Sequence, residues 1–367
     1  MKPVKRMVKT LFWVMLTLMV LALAYPAAAI IKYKAVPLPG GTATVAHCLN
    51  NAGQVVGITG FGYDSHAFRY TYSTGVMEDL GTLWGGEGRS EAWGINASGQ
   101  VVGNAERYLG GGQWETKAFL YSNGVMQDLT SPGEGGGKAY AINNAGEVAG
   151  GTSLWNDEGG YWYGCGFFLS GGVKYYLPAF GFDWMGSEAR ALNNAGQVVG
   201  TAQNEGNYAR AFLYSDGIML NLETLGNWGN SWGTGINDAG QVVGATNVAT
   251  AVGAHAFLYS GGVMQDLGIL GGVNLASSVA NGINNAGQVV GESDTEEEWG
   301  ARHAFLYSCG VMRDLNNLVK NLHPEEILHA AKAINDKGWI IASGAQDYLL
   351  IPVTPSLSPI LLLLLDY

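Results

Sequence analysis

The sequence predicts an all-β fold, a seven-bladed β-propeller with four-stranded blades, from three observations. The chain of 367 residues is 47% hydrophobic and only 13% charged, against about 25% charged in an ordinary globular protein. Its 56 glycines are scattered between short Val, Ile, Leu, Phe and Tyr runs without a three-residue period, which excludes collagen and disfavours long helices. Two sequence blocks recur seven times, and the two ends carry complementary fragments of one repeat.

The first block reads LNNAGQVVG from Leu49, GINASGQVVG from Gly94, AINNAGEVAG from Ala141, ALNNAGQVVG from Ala191, GINDAGQVVG from Gly235, GINNAGQVVG from Gly282 and AINDKGWIIA from Ala333. Its turn glycines, Gly53, Gly99, Gly146, Gly196, Gly240, Gly287 and Gly338, give a mean period of about 47 residues. The second block, HAFLYSGGVMQDLG in its fullest form, is anchored by Phe68, Phe119, Phe168, Phe212, Phe257 and Phe305, with Tyr348 in the last, incomplete copy. Each period therefore holds four short strand candidates, HAFLY, GVMxDLG, SxAxGIN and GQVVG, with turn residues between them. Four strands per such period match propeller blades, which take about 40 to 50 residues.

A ring has to close. Ile31 to Val36 match the second strand of a repeat rather than the first, and Asp347 to Val353 supply the missing first strand. The closing blade is expected to combine one C-terminal strand with three N-terminal ones, leaving no exposed edge. An open β-solenoid, the alternative, has no need of complementary ends.

The recurring Asn50, Asn96, Asn143, Asn193, Asn237, Asn284 and Asn335 read as turn builders, each bonding its own backbone beside a glycine of positive φ. Calcium would need six to eight oxygens where each copy offers one or two. His66, His255 and His303 share a repeat position with Lys117, Gly166 and Arg210, which points to a structural or exposed role. Asp79, Asp128, Asp266 and Asp314 share another, read as a turn or cross-strand hydrogen bond. Ala46, Ala92, Ala139, Ala189, Gly233, Ala280 and Ala331 mark a position kept small for blade-to-blade packing. Residues 316–333, with Pro324 and two glutamates, could form a helical turn or two.

Residues 1–29 read as a signal peptide: Lys2, Lys5, Arg6 and Lys9, an apolar stretch from Leu11 to Ala24, then Ala27 to Ala29. They imply a secreted or periplasmic chain, with residues 30–353 as one repeat domain and 354–367 as an apolar tail. The apolar run from Ile360 to Leu365 falls far short of the ~20 residues that span a bilayer, so no membrane span is expected in the mature chain. Residues 1–29 hold four of the 19 basic residues and none of the 30 acidic ones, so the formal charge moves from −11 to about −15 without them. Such a surface repels nucleic-acid phosphates. Cys48, Cys165 and Cys309 form no complete disulfide framework, and each reads as a small buried hydrophobe, with one disulfide as the alternative.

The blocks HAFLYSGGVMQDLG, LGGxxSxAxGIN and NNAGQVVG together resemble the extracellular HAF repeat family over about residues 31–353. The resemblance implies a secreted bacterial repeat protein without a known catalytic residue set. The C-terminal surface-sorting tail of such proteins has no recognisable counterpart here.

Alternating turns of an up-and-down blade fall on opposite faces. The YSGG-like and NNAG turns share one face and are short and uniform; the other carries every insertion. Trp84, Trp184, Trp228 and Trp232 fall in the connections between GVMxDLG and SxAxGIN, and Trp114, Trp155, Trp162 and Trp299 in or beside those between GQVVG and HAFLY. Eight of the ten tryptophans after residue 29 therefore belong to one predicted face. Aromatic loops on a rigid frame offer large contact area at low entropy cost, and with Asn, Asp, Glu and Gln around them they suit sugars. The ligand-binding candidates are Trp84, Trp114, Trp155, Trp184, Trp228, Trp232 and Trp299; the alternative is that each ring covers its own loop.

Ser/His/Asp order, HExxH, CxxC, GxSxG and a phosphate loop are all missing in usable context, so no catalytic residue, metal or cofactor is expected. The acidic run Glu292, Asp294, Glu296, Glu297 and Glu298 reads as a solvated charge run. The function expected is non-catalytic binding of a polysaccharide or an extracellular protein, with a propeller-type polysaccharide lyase or hydrolase as the alternative. Acidic and histidine side chains converging at the channel mouth would favour the enzyme; dispersal on the rims would favour binding.

Overall fold

The computed structural model describes residues 31–157, 159–181, 186–226, 229–248, 253–271, 276–295 and 301–353. The expected signal peptide and apolar tail lie outside them. Seven four-stranded antiparallel sheets form a ring. Blades one to six cover residues 44–79, 89–128, 134–177, 187–221, 231–268 and 278–314; blade seven holds residues 330–353 together with Lys32–Pro37. Each blade runs outward from the axis, as in blade four: Ser187–Leu192, Val198–Gln203, Ala209–Ser215 and Ile218–Asn221.

The SxAxGIN strand is therefore the inner one, and the GVMxDLG strand is at the rim. The chain passes to the next blade between them. The serine that opens SxAxGIN shows why: Ser90 Oγ donates to Gly81 O of the preceding connection and accepts from Ala67 N of the preceding blade at 2.8 Å. Ser278 does the same with Gly268 O and Ala256 N. These hydroxyls staple one blade to the next and do not extend a ladder.

This frame corrects the expected closure. Lys32–Pro37 does pair antiparallel with Asp347–Val353, from Lys32↔Val353 to Pro37↔Tyr348. The proportions are reversed, however: blade seven takes three strands from the C-terminal end and one from the N-terminal end, because the repeat begins at the inner strand and not at HAFLY.

The core is divided among the blade interfaces. Val56, Ala67 and Leu80 of blade one pack against Ala92, Ile95, Val101 and Phe119 of blade two, and six further clusters join the other neighbours around the ring. Each interface buries apolar area at roughly 25 cal/mol per Å². The position expected to be small is fully buried at Ala46, Ala92, Ala139, Ala189, Ala280 and Ala331. In blade three the buried anchor is Phe167, paired with Gly150 as Phe68 is with Gly57. The expected Phe168 is one residue out of phase, and Cys165, not Gly166, occupies the histidine position. In a strand, such a slip exchanges the two faces.

Among the described residues the 316–333 segment forms no α-helix. A short 3-10 turn at Leu315–Asn317 precedes it, and Leu315, Leu318 and Leu328 plug the closing interface. The three cysteines are free; Cys165 is buried, whereas Cys309 is exposed at a turn tip with φ 51°.

The asparagines do more than build turns. Asn50 Oδ1 accepts from Ala52 N and Gln54 N, both at 3.0 Å, while its Nδ2 donates across the interface to Asn96 O at 2.9 Å. Asn96, Asn143, Asn193, Asn237 and Asn284 repeat the step to the next blade, and Asn335 returns it to Asn50 O, each at 3.0 to 3.1 Å. A closed girdle of seven amides thus rings the axis on the NNAG face.

Candidate functional site: the channel and the loop face

Every inner strand carries a register shift after its small residue, for example between Ala46 and Cys48, Ala92 and Gly94, and Ala189 and Ala191. A β-bulge leaves one residue unpaired and re-aims its side chain. The bulged residues are His47, Trp93, Tyr140 and Arg190 in blades one to four, and Thr234, Asn281 and Lys332 in blades five to seven. All seven line a central channel of about 1420 Å³. Two residues earlier in the same strands, Lys138, Glu188, Trp232 and Ala330 form a second row nearer the loop face. Each bulge in blades one to six lies against a glycine of GQVVG: a Cβ on Gly103 or Gly200 would run into Glu91 O or Glu188 O.

One wall of the channel is aromatic and charged. The His47 and Trp93 rings stack with centroids 4.0 Å apart, Tyr140 meets Trp93 edge-on at 5.8 Å, and the Arg190 guanidinium lies over the Tyr140 ring at 4.6 Å. Trp93 Nε1 donates to Asn104 Oδ1 at 2.8 Å, fixing the indole. His47 Nε2 lies 2.8 Å from Glu91 Oε1. Burial alone would raise the Glu91 carboxyl, but the hydrogen bond and charge of His47, with Lys138 and Arg89, outweigh it and hold the group below the usual range. Glu91 is therefore ionised at neutral pH, and His47 donates from Nε2. Burial, then a hydrogen bond to Glu188, pushes the Tyr140 hydroxyl well above its ordinary value, so it stays protonated. Glu188 also sits 2.6 Å from Arg190 Nη2. On the facing side the bulged Thr234 and Asn281 are small and neutral, with Trp232 and Glu292 in the lining beside them.

The loop face is uneven. In blade two the strands Val101–Gly110 and Gln113–Ser122 stand out as a long hairpin, and in blade three Val148–Asn156 and Tyr161–Ser170 do the same. Trp114 stacks on Tyr63 at 5.4 Å and meets the tilted Tyr108 ring at 5.2 Å, and Trp155 meets Trp162 at 5.4 Å. All five rings are exposed. The Trp162 ring lies against Gly135, which lines the channel, so this hairpin stands at the channel mouth.

Of the candidate tryptophans, Trp114 and Trp155 are exposed on these hairpins. Trp84 is half-buried under Arg107, whose guanidinium lies 4.8 Å from its ring, and packs on the blade one and two cluster. Trp232 is a correction: it belongs to the inner strand Ser231–Ile236 and faces the channel, because the connection ends at the stapling Ser231. Trp184, Trp228 and Trp299 lie outside the described residues, as do Glu296 to Glu298 of the acidic run. Glu292 and Asp294 pair with Arg302.

Histidines divide between the two places. His66, His255 and His303 pair on the rims with Asp79, Asp266 and Asp314 at 2.7 to 2.9 Å, and Lys117 with Asp128 at 2.6 Å; His47 alone of the described histidines lines the channel. The second variable letter of SxAxGIN marks the channel in the sequence: it differs in all seven copies while its neighbours recur.

No protein-family model and no curated protein matches the chain. Solved structures do. An acylaminoacyl peptidase in complex with Z-Gly-Gly-Phe-chloromethyl ketone is 11% identical, with TM-score 0.54, over 87% of this chain and 53% of that one. The β-propeller domain of the Trilobed protease from Pyrococcus furiosus is 8% identical, with TM-score 0.53, over 89% of this chain and 100% of that one. Acylaminoacyl peptidase from Pyrococcus horikoshii, uncomplexed, is 10% identical, with TM-score 0.50, over 91% and 54%. The chain spans about half the length of these peptidases, and the likeness is one of fold: a seven-bladed β-propeller. The Pyrococcus furiosus domain is described as having an open velcro topology; here the two ends share a blade.

Proposed function

We propose that the chain is a secreted, non-catalytic binding module of the HAF repeat type, and that its loop face takes a glycan. One observation carries this reading: exposed aromatic pairs sit on the two lengthened hairpins, and one of them borders the channel mouth. Rings held out on rigid strands present apolar area without loss of side-chain entropy on binding. The test is a glycan array with the chain from residue 30 onward and a variant with Trp114, Trp155 and Trp162 all changed to alanine. Binding that falls in the variant at an unchanged melting temperature supports the reading. Unaltered binding, or a melting temperature that falls together with it, overturns it, and capture of a protein instead would replace glycan by an extracellular protein partner.

A second reading, a lyase or hydrolase acting on polysaccharide, is favoured by the convergence of His47, Tyr140, Glu188 and Arg190 at the channel wall, with Glu91 bonded to His47 behind it. A histidine oriented by a carboxylate beside a guanidinium is a constellation fit for proton transfer. Turnover of polysaccharide by the purified chain, lost in His47→Gln, would put this reading first.

A further inference from the structure

We infer that the channel is a site for a carboxylate-bearing sugar, with the sugar ring against Trp93 and Tyr140 and its carboxylate on Arg190 and Lys138. The inference rests on the saccharide reading above and names the class of sugar and the place where it lies.

Size comes first. A cavity of about 1420 Å³ exceeds the roughly 300–1,000 Å³ of ordinary small-molecule pockets, so it has room for several linked rings. Shape is next. The Trp93 and Tyr140 rings meet at 5.8 Å and 70°, giving two faces set at an angle, and Thr234 and Asn281 opposite leave space in front of them. The Tyr140 hydroxyl and the Asn281 amide add neutral hydrogen-bonding groups suited to sugar hydroxyls.

Charge selects the sugar. The chain as a whole carries −11, yet the residues that line the channel include three cations, Lys138, Arg190 and Lys332, against two carboxylates, Glu188 and Glu292. Lys332 is neutralised by Asp347 at 2.9 Å, and Glu292 by Arg302. Among the lining residues Lys138 and Arg190 then stand against Glu188, with the ionised Glu91 set behind them on His47. Lys138 Nζ is 4.0 Å from Glu106, its nearest ion-pair partner, and longer than a hydrogen bond. Arg190 meets Glu188 through Nη2, while its plane is held by the Tyr140 ring; most of its five N–H donors remain for a ligand. A guanidinium pre-oriented in this way suits the two oxygens of a carboxylate.

The test is isothermal titration calorimetry with trimers of galacturonate, glucuronate and mannuronate, and with the uncharged galactose, glucose and mannose trimers. At least one acidic trimer is expected to bind about tenfold or more tightly than its neutral counterpart, with an affinity that falls as salt rises. Arg190→Gln and Lys138→Gln should each remove most of that preference, whereas Trp93→Ala should weaken both trimers. Melting temperatures confirm that each variant is folded, and Lys138→Gln, on a half-exposed side chain, keeps the test open should Arg190→Gln fail to fold. Equal affinity for acidic and neutral trimers, absence of binding by every acidic trimer, or a preference indifferent to both substitutions overturns the inference. If array binding still depends on Trp114, Trp155 and Trp162 in that case, the glycan reading stands without the channel; if the chain binds no saccharide at all, both fall.

Discussion

On the NNAG face, seven asparagines at one repeat position do the same thing seven times, each donating to the next blade until Asn335 reaches Asn50. On the loop face, the blades do different things. Blade four joins its middle strands after Gln203 and resumes at Ala209, whereas blade two carries ten-residue strands out to Gly110 and back from Gln113. The girdle needs identity, since a ring of interblade bonds is complete only when every member donates. The loop face and the bulged row need difference, since seven identical side chains would give a sevenfold-symmetric surface and no single orientation for a ligand. Stability and specificity are thereby assigned to opposite ends of the same inner strands.

The largest effect expected from breaking this division is at closure. Deleting residues 346–367 leaves Lys32–Pro37 and Ile340–Ser343 without their shared partner strand and removes the buried Leu349 and Leu350. It also strips Lys332 and Ala46 N of the Asp347 carboxylate. Calorimetry should show a broad, early transition in place of one cooperative melt. A truncated chain that melts as sharply and as hot as the full one would mean that the ends do not close the ring.

Within the repeats, Asn193→Ala should cost about 1–3 kcal/mol, because it leaves the Ala195 and Gln197 amides without their acceptor and takes the interblade donor from Asn237 O, which keeps only Gly240 N. Gly200→Ala should cost a similar amount, about 1–3 kcal/mol, by driving a Cβ into Glu188 O and flattening the bulge that aims Arg190. Gly240→Val places a β-branched residue at φ 73°, at about 1–3 kcal/mol. Denaturant melts of these variants test the girdle and turn side of the comparison.

The repeats made the fold legible: seven copies of two blocks gave blade count, strand count and the pairing of the two ends. The start of the repeat was not legible, because GVMxDLG followed by SxAxGIN looks like any strand pair until the Ser90 hydroxyl is seen to bridge blades. The loop-face position of Trp114 and Trp155 could be read from alternating turns. Trp93 and Trp232 could not, since a β-bulge has no marker in a single strand, and only the contrast between fixed and changing letters of SxAxGIN points to the channel. The crossing Asn amides were hidden for a related reason: a side chain that satisfies its own turn gives no hint that its remaining donor reaches a neighbour 44 to 51 residues away.

Acid should separate the paired carboxyls from the amide girdle. The carboxyls of Glu91, Asp128 and Asp266 are disfavoured by burial but held below their usual values by hydrogen bonds from His47, Lys117 and His255. A carboxyl that binds its proton less tightly when folded contributes stability above its unfolded value, 4.5 for Glu and 3.8 for Asp, and loses it as pH falls further. The melting temperature should therefore hold down to about pH 5 and fall below it. The deficit of Asp266→Asn should close over that range, while that of Asn193→Ala, which involves only amides, should stay constant. Parallel deficits across the series would show that the Asp266 pairing adds nothing to stability.

The smallest effect on stability is expected where the proposed effect on binding is greatest. Replacing residues 108–114 by an Asn-Gly turn would remove the outstanding tip of the blade two hairpin while leaving the buried Val101, Val102, Ala105, Ala118 and Phe119 in place. Tyr108, Leu109 and Trp114 are exposed, and the Trp114 ring meets those of Tyr108 and Tyr63. Their loss should move the unfolding free energy by no more than about 0.5 kcal/mol, as for surface changes in general. A two-residue type I′ turn also suits the twist of the strands it would join. Glycan capture by the loop face should fall in the same variant, while the girdle variant Asn193→Ala should keep its capture at temperatures where it remains folded. A shortened hairpin that unfolds the chain by several kcal/mol would make these rings a satellite core of blade two, and capture that survives the shortening would move recognition from the hairpin to the channel.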